Sequence, residues 1–324
     1  MNANDAKYRG VRTLVLGGGG FIGRWTTAAL HARGAEVFVA TRDALGTARV
    51  LSDHGIAAAL HVVDLSRTGD AARLVDALKP QIVFNLAGYG IDRAERDETL
   101  AQRVNCDLVA ELAEAVKSDA TWSGQALVHA GSALEAGTQG GDFADAWKCV
   151  PTTLYGRTKL EGSERLRDIS QRRGVKALSA RLFTVYGPGE HAGRLLPSLR
   201  EAALGTGDIP LSEGRQLRDF TFVEDVAEGL LRLGACPVEC APRALNLATG
   251  ELTQVRDFAL RAARELGIAR ERLCFGALPT RVEEMAHEPV ALDLLQRLVG
   301  WRPSTTIESG VRRTLAFERS FGRS

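Results

Sequence analysis

A tyrosine and a lysine stand four residues apart in the stretch PTTLYGRTKLEGSERL, which is typical of the start of a helix. This spacing places Tyr155 and Lys159 on one helical face. A phenol with a pKa of about 10 is a poor base at neutral pH, but an adjacent ammonium favours the phenolate and lowers that pKa. The pair is therefore suited to proton transfer. Because the same spacing also occurs by chance in many soluble proteins, the rest of the chain has to decide.

A glycine-rich turn provides a second candidate site. In LVLGGGGFIGRW, Gly17, Gly20 and Gly23 follow a strand-like run and open a helix-like one. Glycines at this spacing permit a tight turn and let backbone N–H groups approach a pyrophosphate at the positive end of the helix. The turn therefore predicts a dinucleotide site, the alternative being a merely flexible turn.

The end of the second predicted strand, VATRD, should meet the adenosine ribose of a dinucleotide. It presents Thr41 and Arg42 where NAD-specific sites commonly carry an acidic residue. A guanidinium can pair bidentately with a 2′-phosphate, which favours NADP(H) over NAD(H). Asp43 could still accept a hydrogen bond from a ribose hydroxyl, and Arg42 could equally be an ordinary surface charge.

The elements that must position these residues follow a regular alternation. Short apolar runs such as VRTLVLG, AEVFVAT, QIVFNLAG and QALVHAGS are separated by helical patterns. Buried apolar strands between helices are typical of a parallel sheet covered on both faces. Right-handed crossovers then give a Rossmann-type doubly wound sheet in the α/β class. After Phe183, loops rich in Gly and Pro indicate a smaller C-terminal α+β lobe.

We accordingly expect two regions in the chain. Residues 1–181 should form a dinucleotide-binding Rossmann domain, and residues 182–324 should form mainly a substrate-binding lobe. Elements around 216–248 are expected to return to the first domain, because LRDFTFVEDV and RALNLATG resemble parts of its body.

The composition argues against several other classes of protein. The 41 Lys+Arg against 40 Asp+Glu give no basic footprint of a nucleic-acid binder. No apolar stretch is long enough to span a bilayer, and MNANDAKYRG has no apolar run typical of a signal peptide, so we expect a soluble cytoplasmic protein. The five cysteines include no Cys-x-x-Cys and are expected to be reduced. The six histidines show no metal-like spacing, so no metal site is expected.

Nine motifs in a shared order make the chain similar to the extended short-chain dehydrogenase/reductase family, in its nucleotide-sugar epimerase/dehydratase branch. They cover nearly the whole chain and are GGGGFIG, VVDLS, NLAG, GSALEAG, YGRTK, ARLFTVYGPGE, LRDFTFVEDVA, NLATG and LVGWRPSTTIESGV. The resemblance implies that Tyr155 is the general acid/base and that Lys159 binds the nicotinamide ribose. It also implies that Ser132 hydrogen-bonds the reacting sugar oxygen, although this residue could instead be a turn serine.

The resemblance implies a set of cofactor contacts as well. They are Gly17, Gly20, Phe21, Ile22, Gly23, Thr41, Arg42, Asp64, Leu65, Asn85, Leu86, Ala87, Tyr155 and Lys159. Asp64 would touch the adenine, and Asn85 with Ala87 would line the cofactor channel. Asn105 occupies the place of a helix residue that supports the active site in this family.

A nucleoside-diphosphate sugar is the substrate that the resemblance implies. Arg218 and Arg281 occupy positions similar to the family's two diphosphate-binding arginines, and Arg194 is a candidate third. Guanidinium forks suit a diphosphate, although each of these could also be an ordinary surface arginine. Thr184 stands where many relatives have asparagine, which alters one contact to the sugar or its diphosphate.

Departures from the family pattern narrow the expected reaction. Where family dehydratases carry Thr-Asp-Glu, this chain has Ser132-Ala133-Leu134, which argues against a 4,6-dehydratase. Glu135 follows with an offset of one residue that should turn it elsewhere.

Two reactions at carbon 4 of the hexose could use the same catalytic and cofactor-binding residues. A 4-ketoreductase takes hydride from NADPH while Tyr155 protonates the oxygen, and a 4-epimerase keeps NAD tightly bound. Arg42 favours the reductase.

A non-catalytic cofactor-binding protein on the same fold is an alternative that the combination of Ser132, Tyr155 and Lys159 opposes. An enzyme for non-nucleotide aldehydes or ketones is opposed by the arginines. The family also commonly forms a homodimer through the helices that carry Asn105 and Tyr155.

Overall fold

A computed structural model describes residues 5–56, 58–91, 95–137, 149–237, 244–279 and 289–320. The strands are β1 Arg12–Leu16, β2 Glu36–Thr41, β3 Ala59–Val62, β4 Ile82–Asn85, β5 Leu127–Ser132, β6 Ala177–Leu182, β7 Thr184–Tyr186, β8 Ile209–Leu211, β9 Leu217–Arg218, β10 Phe220–Phe222, β11 Ala244–Leu247, β12 Thr253–Gln254 and β13 Leu273–Phe275. The helices are α1 Phe21–Ala32, α2 Ala44–Ser52, α3 Asp70–Leu78, α4 Glu98–Gln102, α5 Leu108–Ala115, α6 Leu154–Arg173, α7 Leu195–Ala203, α8 Val223–Gly234, α9 Val255–Glu265, α10 Asp293–Val299 and α11 Ile307–Ser320. A π-helical turn, Arg103–Asp107, joins α4 to α5.

Seven parallel strands form the central sheet in the order β11-β6-β5-β4-β1-β2-β3. The chain runs outward from β1 to β3, crosses back to β4 and then runs outward to the other edge. This reversal places a switch point between β1 and β4, where doubly wound sheets bind ligands at the carboxyl ends of their strands. The predicted Rossmann-type α/β sheet is confirmed.

The sheet is apolar on both faces because alternate residues of each strand point to opposite sides. On one face, Val15 and Phe84 pack in a buried cluster with side chains of α1 and α8. On the other, Leu14 and Val83 pack with side chains of α3, α5 and α6. The near-continuous apolar runs of the sequence therefore become strands that are covered on both faces.

A further core lies outside the central sheet. It gathers side chains of β7, β10, α7, α9 and α11, among them Tyr186 and Ile307. The rings of Phe220 and Phe258 stack within it, with centroids 4.1 Å apart. Buried Asp219 accepts hydrogen bonds from Thr249 N at 3.0 Å and Gly250 N at 2.8 Å. This carboxylate ties the lobe to the segment that leaves β11 at the carboxyl edge of the sheet.

Three further observations hold for the described part of the chain. It contains no helix both long and apolar enough to cross a membrane. Its cysteines, Cys106, Cys149, Cys236 and Cys274, are free thiols, while Cys240 lies outside the described ranges. It holds no group of three His, Cys, Asp or Glu side chains arranged to bind a metal ion.

Candidate active site

The glycine turn joins β1 to α1, whose first residues are Phe21 and Ile22. Gly17 has a φ of +74°, and a Cβ at this position would lie 3.0 Å from backbone atoms of Leu86 and Ala87. A Cβ on Gly23 would lie 2.0 Å from the carbonyl oxygen of Gly17, so the first turn of α1 packs directly on the glycine turn.

The start of α1 has no side-chain cap, and its N-cap residue is Gly20. The first N–H groups of a helix lack partners within the helix, and they favour an anion at this end. The turn therefore has the form of a backbone anion site.

The residues predicted to meet the adenosine ribose, Thr41 and Arg42, lie at the end of β2. The Thr41 hydroxyl lies 2.8 Å from that of Thr47, and Arg42 is exposed. Asp43 caps α2, its Oδ1 accepting from Gly46 N at 2.9 Å, and its side chain is exposed. A helix that begins at this point needs an N-cap, which explains the use of the carboxylate.

Asp64 lies close to the end of β2. Hydrogen bonds from Ser66 lower the pKa of the Asp64 carboxyl, and the charges of Arg42 and Arg67 act in the same direction. The structure therefore brings Arg42 and Asp64 into one electrostatic neighbourhood, with half-buried Leu65 next along the chain.

β4 ends at Asn85, which the structure buries completely. Its Nδ2 lies 3.2 Å from Nδ1 of buried His129. Within the described part of the chain, Asn85 Oδ1 and His129 Nε2 have no hydrogen-bond partner. Burial and the charge of nearby Lys159 lower the pKa of His129. Asn85, predicted to line the cofactor channel, is thus buried beside His129, on which the charge of Lys159 acts.

The helix that carries the tyrosine and lysine begins after Thr153, whose hydroxyl accepts a hydrogen bond from Gly156 N at 3.0 Å. A Cβ on Gly156 would lie 2.3 Å from the carbonyl oxygen of Leu134. The helix can therefore start against the turn that follows β5, which brings Tyr155 and Lys159 to the end of that strand.

Ser132, Tyr155 and Lys159 meet at this point. The Ser132 side chain lies close enough to the Tyr155 phenol to lower its pKa, and the Ser132 hydroxyl oxygen accepts from Leu134 N at 3.2 Å. Lys159 Nζ donates to the Ala130 carbonyl at 3.0 Å and lies 5.8 Å from the centre of the Tyr155 ring. The three side chains share one small site, as expected from the sequence.

A downward shift of the Tyr155 pKa is expected from the lysine together with an oxidised nicotinamide, and the polypeptide by itself shows the opposite shift. Burial raises this pKa well above its ordinary value, the charge of Glu135 acts in the same direction, and the hydrogen bond with Ser132 opposes them. Burial also lowers the pKa of Lys159 to about 8. The sequence argument counted the lysine charge but omitted the hydration that a buried phenolate loses. Tyr155 is consequently held as the neutral phenol.

Glu135 is the main residue that the sequence analysis did not assign to the site. It turns elsewhere, as expected, and it turns into the interior. Its Oε1 accepts from Ser132 N at 2.8 Å and from Ser163 Oγ at 3.2 Å, and its Oε2 accepts from Arg181 Nε at 2.9 Å. The available signal was the Ser-x-x-Glu spacing of a capping box, which Ser132 and Glu135 form here.

Asn105 lies in the π-helical turn and is fully buried. Its Oδ1 accepts from Tyr89 N at 3.0 Å, and its Nδ2 donates to Tyr89 O at 2.7 Å and to Thr158 Oγ1 at 2.9 Å. A Cβ on Gly162 would lie 2.1 Å from Asn105 O. Asn105 therefore joins the loop after β4 to the helix of Tyr155.

Besides Ser132, four residues are predicted to contact the substrate, and three of them are Thr184, Arg218 and Arg281. Thr184 opens β7 and Arg218 closes β9, and both are half-buried. Arg281 lies outside the described residues.

Arg194, the fourth of these predicted substrate residues, lies near enough to Tyr155 for its charge to act on the phenol. It precedes α7, and its charge lowers the pKa of Tyr155. Its Nε lies 3.6 Å from Glu190 Oε1. Burial raises the pKa of Glu190 to about 7, and Oε2 of this carboxyl has no hydrogen-bond partner in the described residues. Sequence reasoning missed Glu190, since nothing in the YGPGEH loop indicates that its side chain is buried.

The residues at this edge of the sheet fit a bound dinucleotide. The glycine turn forms a cradle that a Cβ at Gly17 or Gly23 would fill, and it leads into an uncapped helix start. Asn85 Oδ1, on the side chain that contacts His129, lacks a partner in the described chain. Both observations point to a ligand that meets backbone N–H groups at one end and the tyrosine–lysine pair at the other.

Comparison with known proteins agrees with this geometry. A family model described as the NAD dependent epimerase/dehydratase family matches residues 13–248. The dTDP-6-deoxy-L-talose 4-dehydrogenase (NAD(P)(+)) of Kitasatospora kifunensis is 29% identical over 314 residues, which cover 93% of each chain. The UDP-glucose 4-epimerase of Mycolicibacterium smegmatis is 25% identical, over 96% of this chain and 99% of its own.

Solved structures are similar over the same length. MoeE5 in complex with UDP-glucose and NAD matches with a TM-score of 0.78 and 25% identity, covering 96% of this chain and 99% of its own. The UDP-glucuronic acid 4-epimerase of Bacillus cereus matches with a TM-score of 0.81 at 19% identity, which shows a shared fold.

Proposed function

The chain belongs to the NAD dependent epimerase/dehydratase family, and we propose that it is an NAD(P)-dependent oxidoreductase acting at carbon 4 of a nucleoside-diphosphate hexose. Its reaction, in this proposal, is the reduction of a 4-keto sugar. The observation that carries the proposal is the convergence of Ser132, Tyr155 and Lys159 in one site. The talose 4-dehydrogenase, similar over 93% of this chain, supports a reaction at carbon 4.

Tyr155 can serve as the proton donor of a reduction. Its raised pKa keeps the phenol protonated at neutral pH. Reduction of a ketone needs a proton for the carbonyl oxygen, and a neutral phenol is ready to donate one. Oxidation of a hydroxyl, which would open an epimerase cycle, needs the phenolate first.

Each side chain has a defined part in this mechanism. When bound, a reduced nicotinamide supplies the hydride. The Ser132 oxygen already accepts from Leu134 N, so the serine can donate its proton in a hydrogen bond to the sugar carbonyl oxygen. Tyr155 then transfers its proton to the same oxygen, and its phenolate forms beside the Lys159 ammonium, which stabilises the new negative charge.

NADP(H) is the cofactor that we propose, with NAD(H) as the alternative. Arg42 is exposed at the end of β2 and close enough to Asp64 to affect its pKa, so it can meet a ribose phosphate there. The Kitasatospora kifunensis relative carries NAD(P)(+) in its name, whereas MoeE5 was solved with NAD.

The substrate side is proposed on the same basis. Thr184, Arg194, Arg218 and Arg281 would contact the sugar or its diphosphate, since guanidinium groups bind diphosphates well. In this proposal the cofactor is bound mainly by residues 1–181 with elements around 216–248, and the substrate mainly by residues 182–324. We also propose a homodimer formed through the helices of Asn105 and Tyr155, which light scattering would test.

A 4-epimerase with tightly bound NAD is the second candidate, favoured by relatives such as the Mycolicibacterium smegmatis enzyme. An assay of the purified protein with UDP- and dTDP-linked 4-keto hexoses separates the two. The proposal predicts stoichiometric consumption of added NADPH and formation of the 4-hydroxy sugar. Interconversion of 4-hydroxy epimers without added cofactor would identify an epimerase. Cofactor binding without turnover of any nucleotide sugar would favour a non-catalytic protein.

A further inference from the structure

One buried carboxylate connects the two elements that carry the proposed catalytic groups, the end of β5 and α6, to the neighbouring strand β6. Glu135 accepts hydrogen bonds from Ser132 N after β5, from Ser163 Oγ on α6 and from Arg181 Nε on β6, at 2.8, 3.2 and 2.9 Å. Ser163 lies one turn beyond Lys159 on the same helix. Movement of any one of these elements would therefore break a bond to Glu135.

The surroundings of this carboxylate are tightly packed. The side chains of Arg181 and Glu135 are 1% and 0% exposed. A Cβ on Gly131 would lie 2.6 Å from both Glu135 Oε1 and Ser179 Oγ. Ser179 Oγ also lies 3.0 Å from Ser163 Oγ. This polar cluster leaves little space for Ser132 or the helix to shift.

We propose that Glu135 is a positioning residue of the active site. Its carboxylate fixes the Ser132 backbone to α6, and thereby holds the serine hydroxyl within hydrogen-bond reach of the Tyr155 phenol. Arg181 neutralises the buried charge and fixes the second carboxylate oxygen. The inference rests on the proposed function for its catalytic readout, but the geometry can also be tested without a substrate.

A role in stability alone explains this arrangement poorly. Desolvation of two buried charges offsets most of their attraction, and apolar residues of similar volume often stabilise a core equally well. Removal of only one partner, in contrast, leaves an unpaired buried charge and can unfold a protein. A double substitution is therefore the informative variant.

Electrostatics gives a second readout. The groups that face Tyr155 and Lys159 are His129 from β5, Ser132 at its end, Glu135 in the next turn, Glu95 before α4 and Arg194 before α7. The charge of Glu135 raises the pKa values of both Tyr155 and Lys159. Loss of this carboxylate should therefore lower the pH at which Lys159 titrates.

The test compares E135M/R181M with the matched control R33M/E228M, which removes a partly buried ion pair between α1 and α8. Both variants are checked for folding by thermal unfolding and for cofactor binding by calorimetry. We expect E135M/R181M to bind cofactor normally but to lose about 100-fold in kcat, as a small misplacement of reacting groups does. The control should keep the kcat of the unmodified protein. A folded E135M/R181M with unchanged kcat would overturn the proposal.

A substrate-free arm separates this inference from the proposed function. The chain has six lysines, so 13C-labelled lysine gives few NMR signals, and K159R identifies that of Lys159. We expect Lys159 to titrate at a lower pH in E135Q, which removes the carboxylate charge and keeps Arg181, than in the unmodified protein and in R33M/E228M. An unchanged titration would contradict the inference, whereas a shifted titration in a protein that turns over no nucleotide sugar would refute only the proposed function.

Discussion

At the scale of single residues, the phenol of Tyr155 carries the proposed chemistry. Y155F removes the transferable proton and leaves the ring in place. We expect kcat for reduction of a 4-keto sugar to fall by about 100- to 10,000-fold, the usual contribution of a general acid. Cofactor affinity should stay nearly unchanged, because the glycine turn and Lys159 are intact. Parallel assays of turnover and cofactor binding check both parts, and unchanged turnover would refute the assignment.

Burial of Lys159 makes a prediction about stability that is independent of substrate. The pKa of Lys159 falls from 10.5 to about 8 on folding. Between these pH values the unfolded chain binds more protons at this group than the folded one, so its contribution to the free energy of unfolding rises with pH. The variant K159M lacks the titrating group.

We therefore expect the stability of the unmodified protein, relative to K159M, to increase from about pH 8 to pH 10.5. Denaturant titrations of both proteins across this window give the difference directly. A constant difference would show that the lysine pKa is not lowered in the folded state.

Arg42 makes a prediction about cofactor choice. If its guanidinium pairs with a 2′-phosphate, R42A should weaken NADP(H) binding by about 10- to 100-fold, the range expected for a hydrogen bond to a charged group. NAD(H) binding should change little. The control R49A removes another exposed arginine, in the last turn of α2. Equal losses for both cofactors, or for both variants, would identify Arg42 as an ordinary surface charge.

At the scale of elements, periodicity and turn residues predicted most of what positions the site. The pattern FIGRWTTAALHARG predicted a helix that the structure places at Phe21–Ala32. The stretch PTTLYGRTKLEGSERL predicted the start of a helix, and the structure has a helix at Leu154–Arg173. Both helices begin where local chemistry dictates, the first after a glycine turn and the second at the cap made by Thr153.

Tertiary packing decided what the sequence could not reveal. The long helix around Asn105 contains a π-helical turn that hydrophobic spacing does not indicate. Burial reversed the expected pKa shift of Tyr155, and the inward turn of Glu135 depends on a partner, Arg181, from a strand 46 residues away in sequence. Such effects depend on neighbours that meet only in the folded chain.

Contacts between elements also explain why the C-terminal motifs contain particular residues. Asp225, in FVEDV, accepts from Ser304 N at 3.0 Å and from Thr305 N at 2.8 Å, which lie in WRPSTT. Together with the bonds of Asp219 to Thr249 and Gly250, these contacts connect the lobe to the sheet. Asp219 and Asp225 in these motifs therefore connect parts of the fold. The sequence alone did not distinguish this structural role from substrate binding.

The close approach of α6 to the π-helical turn makes a prediction about stability. In an open helix, replacing glycine by alanine stabilises by about 1 kcal/mol. At Gly162, however, the added Cβ would lie 2.1 Å from Asn105 O, so G162A has to push the helix away. We expect destabilisation by about 1–3 kcal/mol, as for other overpacked sites.

Denaturant unfolding measures this change, with G207A as the control because nothing lies within 4 Å of a Cβ at Gly207. G207A should stay within about 0.5 kcal/mol of the unmodified protein, as most surface substitutions do. A G162A protein as stable as the control would mean that α6 does not lie so close to Asn105.

At the scale of the whole molecule, one fold supports several related reactions. Proteins similar over at least 93% of this chain include a 4-dehydrogenase and a 4-epimerase. The fold thus identifies the family but does not decide the reaction, which depends on the groups in the site. In our proposal the phenol of Tyr155 donates the proton of a reduction, and Arg42 meets the cofactor.

Transfer of a labelled hydride tests this account most directly. Purified protein is given a UDP- or dTDP-linked 4-keto hexose with NADPH deuterated at the transferred position, and the product is analysed by mass spectrometry and NMR. We predict one deuterium at carbon 4 for each NADP formed, and loss of this transfer in Y155F. Reduction without deuterium at carbon 4, or no transfer to any nucleotide sugar in the presence of bound cofactor, would contradict it.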